Sequence, residues 1–240
     1  MPITSQHNQR LREIRKLRMR RRERERSGRF VAEGEDLLAA ADAAGWIALE
    51  RFCAAGSGLD GVEVEAKLLA QASGLASGTR ALAVYEQRWA PSAKGPLCVY
   101  LHGVHDPGNV GAVLRSAEAF GAASVAIGPG TADPFSPKAV RASMGAVFAI
   151  PLARAPDDQT IGELPGISVA LVAGNGVPLA ELPGAPEITI LVGSEREGLP
   201  DSVVAQADHI AQIPIRTHSL NAAMAATVAL YDLGHRMPPA

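Results

Sequence analysis

The sequence predicts an α/β protein in two parts, a small α/β unit followed by a larger domain built on a parallel sheet. Three observations carry this. From Leu97 onward, strand-like and helix-like segments alternate, the pattern of a parallel sheet covered on both faces. The run Ile188-Thr189-Ile190-Leu191-Val192 is apolar or β-branched throughout and ends at Gly193, as expected of a strand buried on both sides. The length, 240 residues, exceeds the usual size of one domain, and Gln87 to Pro96 gathers Pro91, Ser92, Gly95 and Pro96. The expected division is residues 1–90, a linker at 91–96, and residues 97–240.

Composition narrows the class. With 47% hydrophobic residues the chain can build a core, and no apolar stretch reaches the roughly 18 residues a membrane span requires. The N-terminus is basic and polar where a signal peptide would be apolar, so a soluble, cytoplasmic protein with no membrane partner is expected. Cys53 and Cys98 lie far apart without metal-ligand spacing, and read as buried free thiols. The histidines show no spacing that suggests a metal.

Charge is unevenly spread. Residues 1–29 hold eleven of the 23 Lys and Arg but three of the 25 Asp and Glu, so a net charge of -2 conceals a strongly basic front segment. No Gly or Pro interrupts Thr4 to Arg26, Thr4 or Ser5 can cap, and Ser27-Gly28 can stop the element, so one helix is expected. Leu11, Ile14 and Leu17 form its apolar stripe. Arg10, Arg12, Arg15, Lys16, Arg18, Arg20, Arg21, Arg22, Arg24 and Arg26 cover the rest, with only Glu13, Glu23 and Glu25 as local partners. A solvated, self-paired face is the bland alternative. Arginines without counter-ions suit phosphate, and the scarcity of aromatics favours backbone over base recognition, so RNA contacts are expected at Arg10, Arg15, Arg18, Arg21 and Arg22.

The remaining elements follow in order. Phe30 to Ala32 reads as a strand, Gly34 to Gly45 as a helix, Ile47 to Phe52 and Ala81 to Tyr85 as strands, and Glu65 to Gln71 as a helix. Beyond the linker, strands are expected at 97–101, 124–127, 147–152, 168–172 and 188–192, with helices at Asn109 to Phe120 and from Ser219 to about Gly234. Ligands sit at strand ends in such sheets. There Asn109 can cap a helix whose first turn carries Gly111, a site of close approach. Arg115 falls one and a half turns later, on another face. The turn Gly193-Ser194-Glu195-Arg196-Glu197-Gly198-Leu199-Pro200 carries too much charge for a plain hairpin. Dinucleotide, P-loop and zinc signatures are absent.

Asn109 to Arg115, Val192 to Leu199, and Ile213-Pro214 through Ser219-Leu220-Asn221, taken with Arg141-Ala142-Ser143-Met144-Gly145-Ala146, resemble the three ordered motifs of the SpoU (TrmH-like) branch of SPOUT RNA 2'-O-ribose methyltransferases. The resemblance covers residues 97–240, and a looser one likens 8–34 to that family's ribosomal-protein-like substrate-binding domain. It implies a trefoil knot and a homodimer formed through it. It also implies S-adenosylmethionine as cofactor, held around Leu191, Gly193, Ile213, Ser219 and Leu220. The pocket would be lined by Asn109, Arg115, Glu195, Ser219 and Asn221, and Arg141 joins the RNA contacts. Arginine loses its proton only above about pH 12, so Arg115 is expected to clamp a phosphate or alkoxide and not to act as base. Only Arg216, Thr217 and His218 separate Ile215 from Ser219, a shorter loop than the family often has, and His218 is an alternative base. Ribosomal RNA is the expected substrate, given the N-terminal domain and the absence of a long C-terminal extension. Methylation of transfer RNA and a non-catalytic RNA-binding or ribosome-assembly protein are the alternatives.

Overall fold

The computed structural model of the chain describes residues 1–74, 78–216 and 219–237. The front segment is not one helix. Ile3 lies extended against residues 63–65, its N–H donating to the Glu63 carbonyl at 2.8 Å, so the helix starts late. Asn8 caps α1 (Gln9–Met19), its side chain accepting from Arg10 N at 2.9 Å. Arg20 then takes an extended conformation and α2 (Arg21–Ser27) sets off anew. The buried Arg24 guanidinium holds this corner. It donates to the free carbonyls of Leu17 at 2.7 Å and Arg18 at 3.3 Å, and its Nε meets Asp133 at 2.6 Å. Exposed helix-end carbonyls are thus satisfied by a side chain from the next helix.

After α2 come β1 (Arg29–Glu33), α3 (Glu35–Ala43), β2 (Glu50–Ala54), β3 (Val62–Val64), α4 (Ala66–Ser73) and β4 (Ala81–Glu86). The four strands form a sheet in the order β1-β4-β2-β3, antiparallel except where β3 joins β2. Leu11, Ile14 and Leu17 of α1 are buried as expected and pack with Phe52, Leu69 and Leu82.

The second sheet follows, with β5 (Leu97–Leu101), α5 (Pro107–Ala119), β6 (Ser124–Ile127), α6 (Pro137–Ala142), α7 (Ala146–Ala149), β7 (Leu152–Arg154), β8 (Ile167–Val172), β9 (Val177–Pro178), β10 (Ile188–Val192), α8 (Asp201–Val204), β11 (His209–Gln212) and α9 (Ala222–Arg236). Its seven strands run parallel in the order β7-β6-β5-β10-β8-β11-β9. The predicted strand 147–152 is corrected. Met144 and Gly145 both adopt positive φ (51° and 103°), the chain reverses, and α7 buries Val147 and Phe148 before a strand begins at Leu152. Gly111 meets its close neighbour here, since a Cβ there would lie 2.3 Å from the Ala139 carbonyl, and α6 crosses α5 at that point.

The two sheets share one core. Six of the ten aromatic side chains of the chain, Phe30, Trp46, Tyr85, Trp89, Phe135 and Phe148, gather where they meet. Phe30 and Phe135 lie 4.8 Å apart between ring centroids, and Trp46 Nε1 donates to the Phe148 carbonyl at 2.8 Å. Glu33, at the end of β1, bridges Arg18 and Arg141. Burial pushes its carboxyl above the ordinary value against the pull of both arginines.

Phe148→Ala should lower unfolding stability by about 3 to 5 kcal/mol in urea titrations. Because the cluster spans both sheets, far-UV circular dichroism and tryptophan fluorescence should report one coincident transition.

Candidate functional site

β10 and β5 pair so that Val192 stands opposite Leu101, and His102 N donates to the Val192 carbonyl at 2.9 Å. Two loops therefore leave the sheet side by side, one running through 102–106 into α5 and the other through 193–200. Asp106, not Asn109, caps α5. Its carboxylate accepts from Gly108 N at 2.6 Å and from Lys138 at 2.7 Å, and these bonds hold it below the usual carboxylate range.

With the cap three residues earlier, the Asn109 side chain is free to reach sideways. Its Nδ2 donates to Glu195 Oε1 and its Oδ1 accepts from Asn221 Nδ2 at 3.0 Å. Asn221 in turn caps α9, its Oδ1 accepting from Ala223 N at 2.9 Å and Met224 N at 3.3 Å. A helix start on each side thus orients one half-buried carboxylate, and the three sequence segments that carry it lie up to 112 residues apart. The turn bearing Glu195 is closed on itself. Ser194 and Gly198 exchange backbone hydrogen bonds of 3.1 Å, Ser194 Oγ accepts from Glu197 N at 3.1 Å, and a Cβ on Gly193 would lie 2.2 Å from the Gly198 carbonyl carbon.

Beside this turn opens a cleft of about 740 Å³. Its walls come from residues 171–175 after β8, from 192–199, and from Ile213, Ile215, Ser219, Leu220 and Ala222 ahead of and at the start of α9. Leu171, Val172, Leu199, Ile213, Ile215 and Leu220 give it an apolar side, and Glu195, Arg196, Glu197 and Asp201 a charged one. Among the described residues no group of three His, Cys, Asp or Glu is placed to hold a metal ion, and no helix is long and apolar enough to cross a membrane.

The structure brings some of the predicted site residues together and separates others. Gly193, Glu195, Ile213, Ser219 and Leu220 line the cleft, and Asn109 and Asn221 adjoin it through Glu195. Leu191 does not line it. Strand alternation turns that side chain to the other face of the sheet, fully buried with Cys98 and Tyr100, and Val192 reaches the cleft instead. Arg115 is exposed on α5, next to Ser116, which contacts Thr227 at 2.6 Å; among the described residues it does not line the cleft and forms no ion pair with Glu195. Thr217 and His218, and with them the alternative base, lie outside the described residues. The sequence reading missed Leu171 to Asn175, although an apolar run ending in Ala173-Gly174-Asn175-Gly176 carries the same strand-end signal.

The expectation that most arginines lack internal partners is corrected. Glu33 engages Arg18 and Arg141, Arg24 is buried on Asp133, and Arg18 also donates to the Ala72 carbonyl at 2.8 Å. Arg10 pairs with Glu50, Arg21 with Glu25, and Arg15 holds the Gln6 carbonyl, all at or near the surface. Arg12, Lys16, Arg20 and Arg22 are exposed and form no ion pair among the described residues.

The model of the SpoU rRNA Methylase family matches residues 96–231, and that of the MRM3-like substrate binding domain matches residues 8–88. The 23S rRNA (guanosine(2553)-2'-O)-methyltransferase RlmP of Bacillus subtilis is 34% identical over 135 residues, covering 54% of each protein. The chain spans about half the length of the curated relatives it matches, such as this one. An AdoMet-bound rRNA methyltransferase from Sinorhizobium meliloti superposes with a TM-score of 0.89 at 30% identity, over 100% of this chain and 99% of that one. The SpoU methyltransferase AviRb of Streptomyces viridochromogenes, solved with AdoMet, gives 0.85 at 25% identity over 95% and 98%. With one family model matched over more than half of the sequence, at the very segments that meet around Glu195, the chain belongs to the SpoU rRNA methylase family.

Proposed function

We propose that the protein transfers a methyl group from S-adenosylmethionine to a ribose 2'-hydroxyl of RNA, with ribosomal RNA as substrate, in the cytoplasm and as a homodimer. The observation that carries this is the Asn221, Asn109 and Glu195 array standing on the rim of the 740 Å³ cleft. The cleft suits the cofactor in size and chemistry. Its apolar side chains suit an adenine face, and the carboxylates of Glu195, Glu197 and Asp201 among its lining residues suit a cationic donor. Solved relatives with AdoMet bound superpose over nearly the whole chain.

When bound, S-adenosylmethionine supplies an already activated methyl group. The chain then has to position a hydroxyl and handle its proton. Asn109 fixes Glu195 at Oε1, which leaves Oε2 to take the ribose proton. Asn221 fixes Asn109 in its turn. Arg115, permanently charged, steadies a phosphate or the developing alkoxide. Because it does not line the cleft of its own chain, we place it in the site of a second copy. Met224, Val228 and Tyr231 expose 62%, 40% and 56% of their surface at helical spacing along α9, which lies against α5, and this apolar stripe supports a dimer through that face. A knot threading the segment after Glu195 belongs to the same reading. Residues 1–90 read the RNA, 91–96 link, and 97–240 catalyse. The free cations Arg12, Lys16, Arg20 and Arg22, with Arg10, Arg15 and Arg21, form the RNA surface, while Arg18 and Arg141 brace it through Glu33.

Arg115→Ala should leave cofactor affinity by calorimetry unchanged and lower single-turnover methyl transfer by about a hundredfold. Normal turnover would remove the clamp from the mechanism. Asn221→Ser retains a capping oxygen but cannot reach Asn109, so unfolding stability should shift by only a few tenths of a kcal/mol. Transfer should fall roughly tenfold, about 1.4 kcal/mol of lost orientation. Deleting the front segment is a poor test, since it carries buried Leu11, Ile14 and Leu17. Replacing Arg12, Arg15 and Arg22 by Gln should instead reduce the slope of log affinity against log salt by about 2 for single-stranded RNA, with cofactor binding untouched. Mass mapping of ribose methylation in ribosomal RNA from cells with and without the protein tests the reading as a whole, and unaltered ribosomal and transfer RNA would favour the non-catalytic alternative.

A further inference from the structure

A second cleft, of about 200 Å³, lies where the two sheets meet. Its floor is the loop 128–134 after β6, and its walls are Arg21 and Glu25 of α2 on one side and Gln87, Trp89 and Arg154 on the other. The Arg154 guanidinium stacks on the Trp89 ring, 4.1 Å from its centroid. Trp89 is itself fixed, edge-on to Phe135 at 5.3 Å between centroids and donating from Nε1 to Gln87 Oε1 at 3.3 Å. Arg154 ends β7, is exposed and lines the cleft together with Trp89, so a guanidinium seated over an indole is available there. Opposite it, Arg21 donates to the Thr131 carbonyl at 3.4 Å and pairs with Glu25, in continuity with the arginine surface of α1 and α2.

We propose that this cleft takes an unpaired base of the RNA, stacked on Arg154, next to the nucleotide whose ribose is presented to Glu195. This rests on the proposed reading of the protein as an RNA methyltransferase. A guanidinium plane is a recognised surface for a splayed-out base, and the neighbouring cations suit the phosphates on either side of it. The loops of the two clefts adjoin: Gly103 N donates to the Pro129 carbonyl at 2.9 Å, a Cβ on Gly130 would lie 3.4 Å from Gly103 Cα and 3.6 Å from the His105 ring, and a Cβ on Gly103 would lie 3.6 Å from Ser194 Cβ. Ser194 lines the larger cleft. Gly130 and Gly103 thus place the two clefts next to each other across residues that carry no side chain of their own.

The test compares a short single-stranded oligoadenylate with an abasic ribose-phosphate strand of the same length and charge, on the full chain, against Arg154→Ala and Arg154→Lys. The oligoadenylate should bind the unaltered protein about tenfold more tightly than the abasic strand. Both variants should lose that preference, because lysine keeps the charge but offers no plane. Equal binding of the two strands overturns the subsite, and so does a Lys variant that keeps the preference, since charge alone would then account for it. Thermal unfolding of both variants should match the unaltered protein. If methyl transfer is absent while the base preference and its loss in the variants persist, it is the enzymatic reading that fails and not the subsite.

Discussion

The site depends on the register between β10 and β5. Ile188 stands opposite Leu97 and Val192 opposite Leu101, so the two strands end level and release their loops from the same edge. Only with that alignment does the first turn of α5 lie within reach of the turn after β10, and only then can one amide side chain touch both Glu195 and Asn221. A slip of one residue would move every side chain of β10 to the opposite face of a strand that is wholly buried. The core therefore enforces the alignment that the chemistry uses. Ile190 and Leu191, which touch no substrate in this reading, fix the position of residues that do.

The parallel sheet was readable because its central strands are continuous apolar runs. Ile188 to Val192 and Leu97 to Leu101 are buried at all five positions, and no helix period fits so short a run bounded by glycine or proline. The strands beyond β8 in the sheet were not readable. His209 to Gln212 alternates weakly and is ordered by pairing with β8, a tertiary effect that local pattern does not carry. The region 147–152 misled for a related reason. Val147 and Phe148 have strand propensity, but burial against the aromatic cluster decides their conformation, and the reversal at Met144 and Gly145 allows it.

The three site segments could be picked out by their residue types at strand ends, yet their mutual geometry could not. Nothing local says that Asn109 sits one turn into its helix and Asp106 at the cap, since both residues are good caps. The arginines show the same limit from the other side. Counting charges within residues 1–29 finds few partners, because the partners of Arg18 and Arg24 are Glu33 and Asp133, contributed by other elements. Arg24 is doubly concealed, for it serves as a cap to α1 while helping to join the two sheets.

The shared aromatic junction bears on how such a chain can change over evolutionary time. A front unit exchanged for another RNA reader would have to bring rings that fit against Phe135 and Phe148, and a carboxylate to meet Arg141. Swapping whole modules is thereby discouraged, whereas exposed cations such as Arg12 or Arg22 can be altered one at a time without disturbing the seam. New targets would then be reached by repainting the surface of a fixed frame, not by replacing its parts.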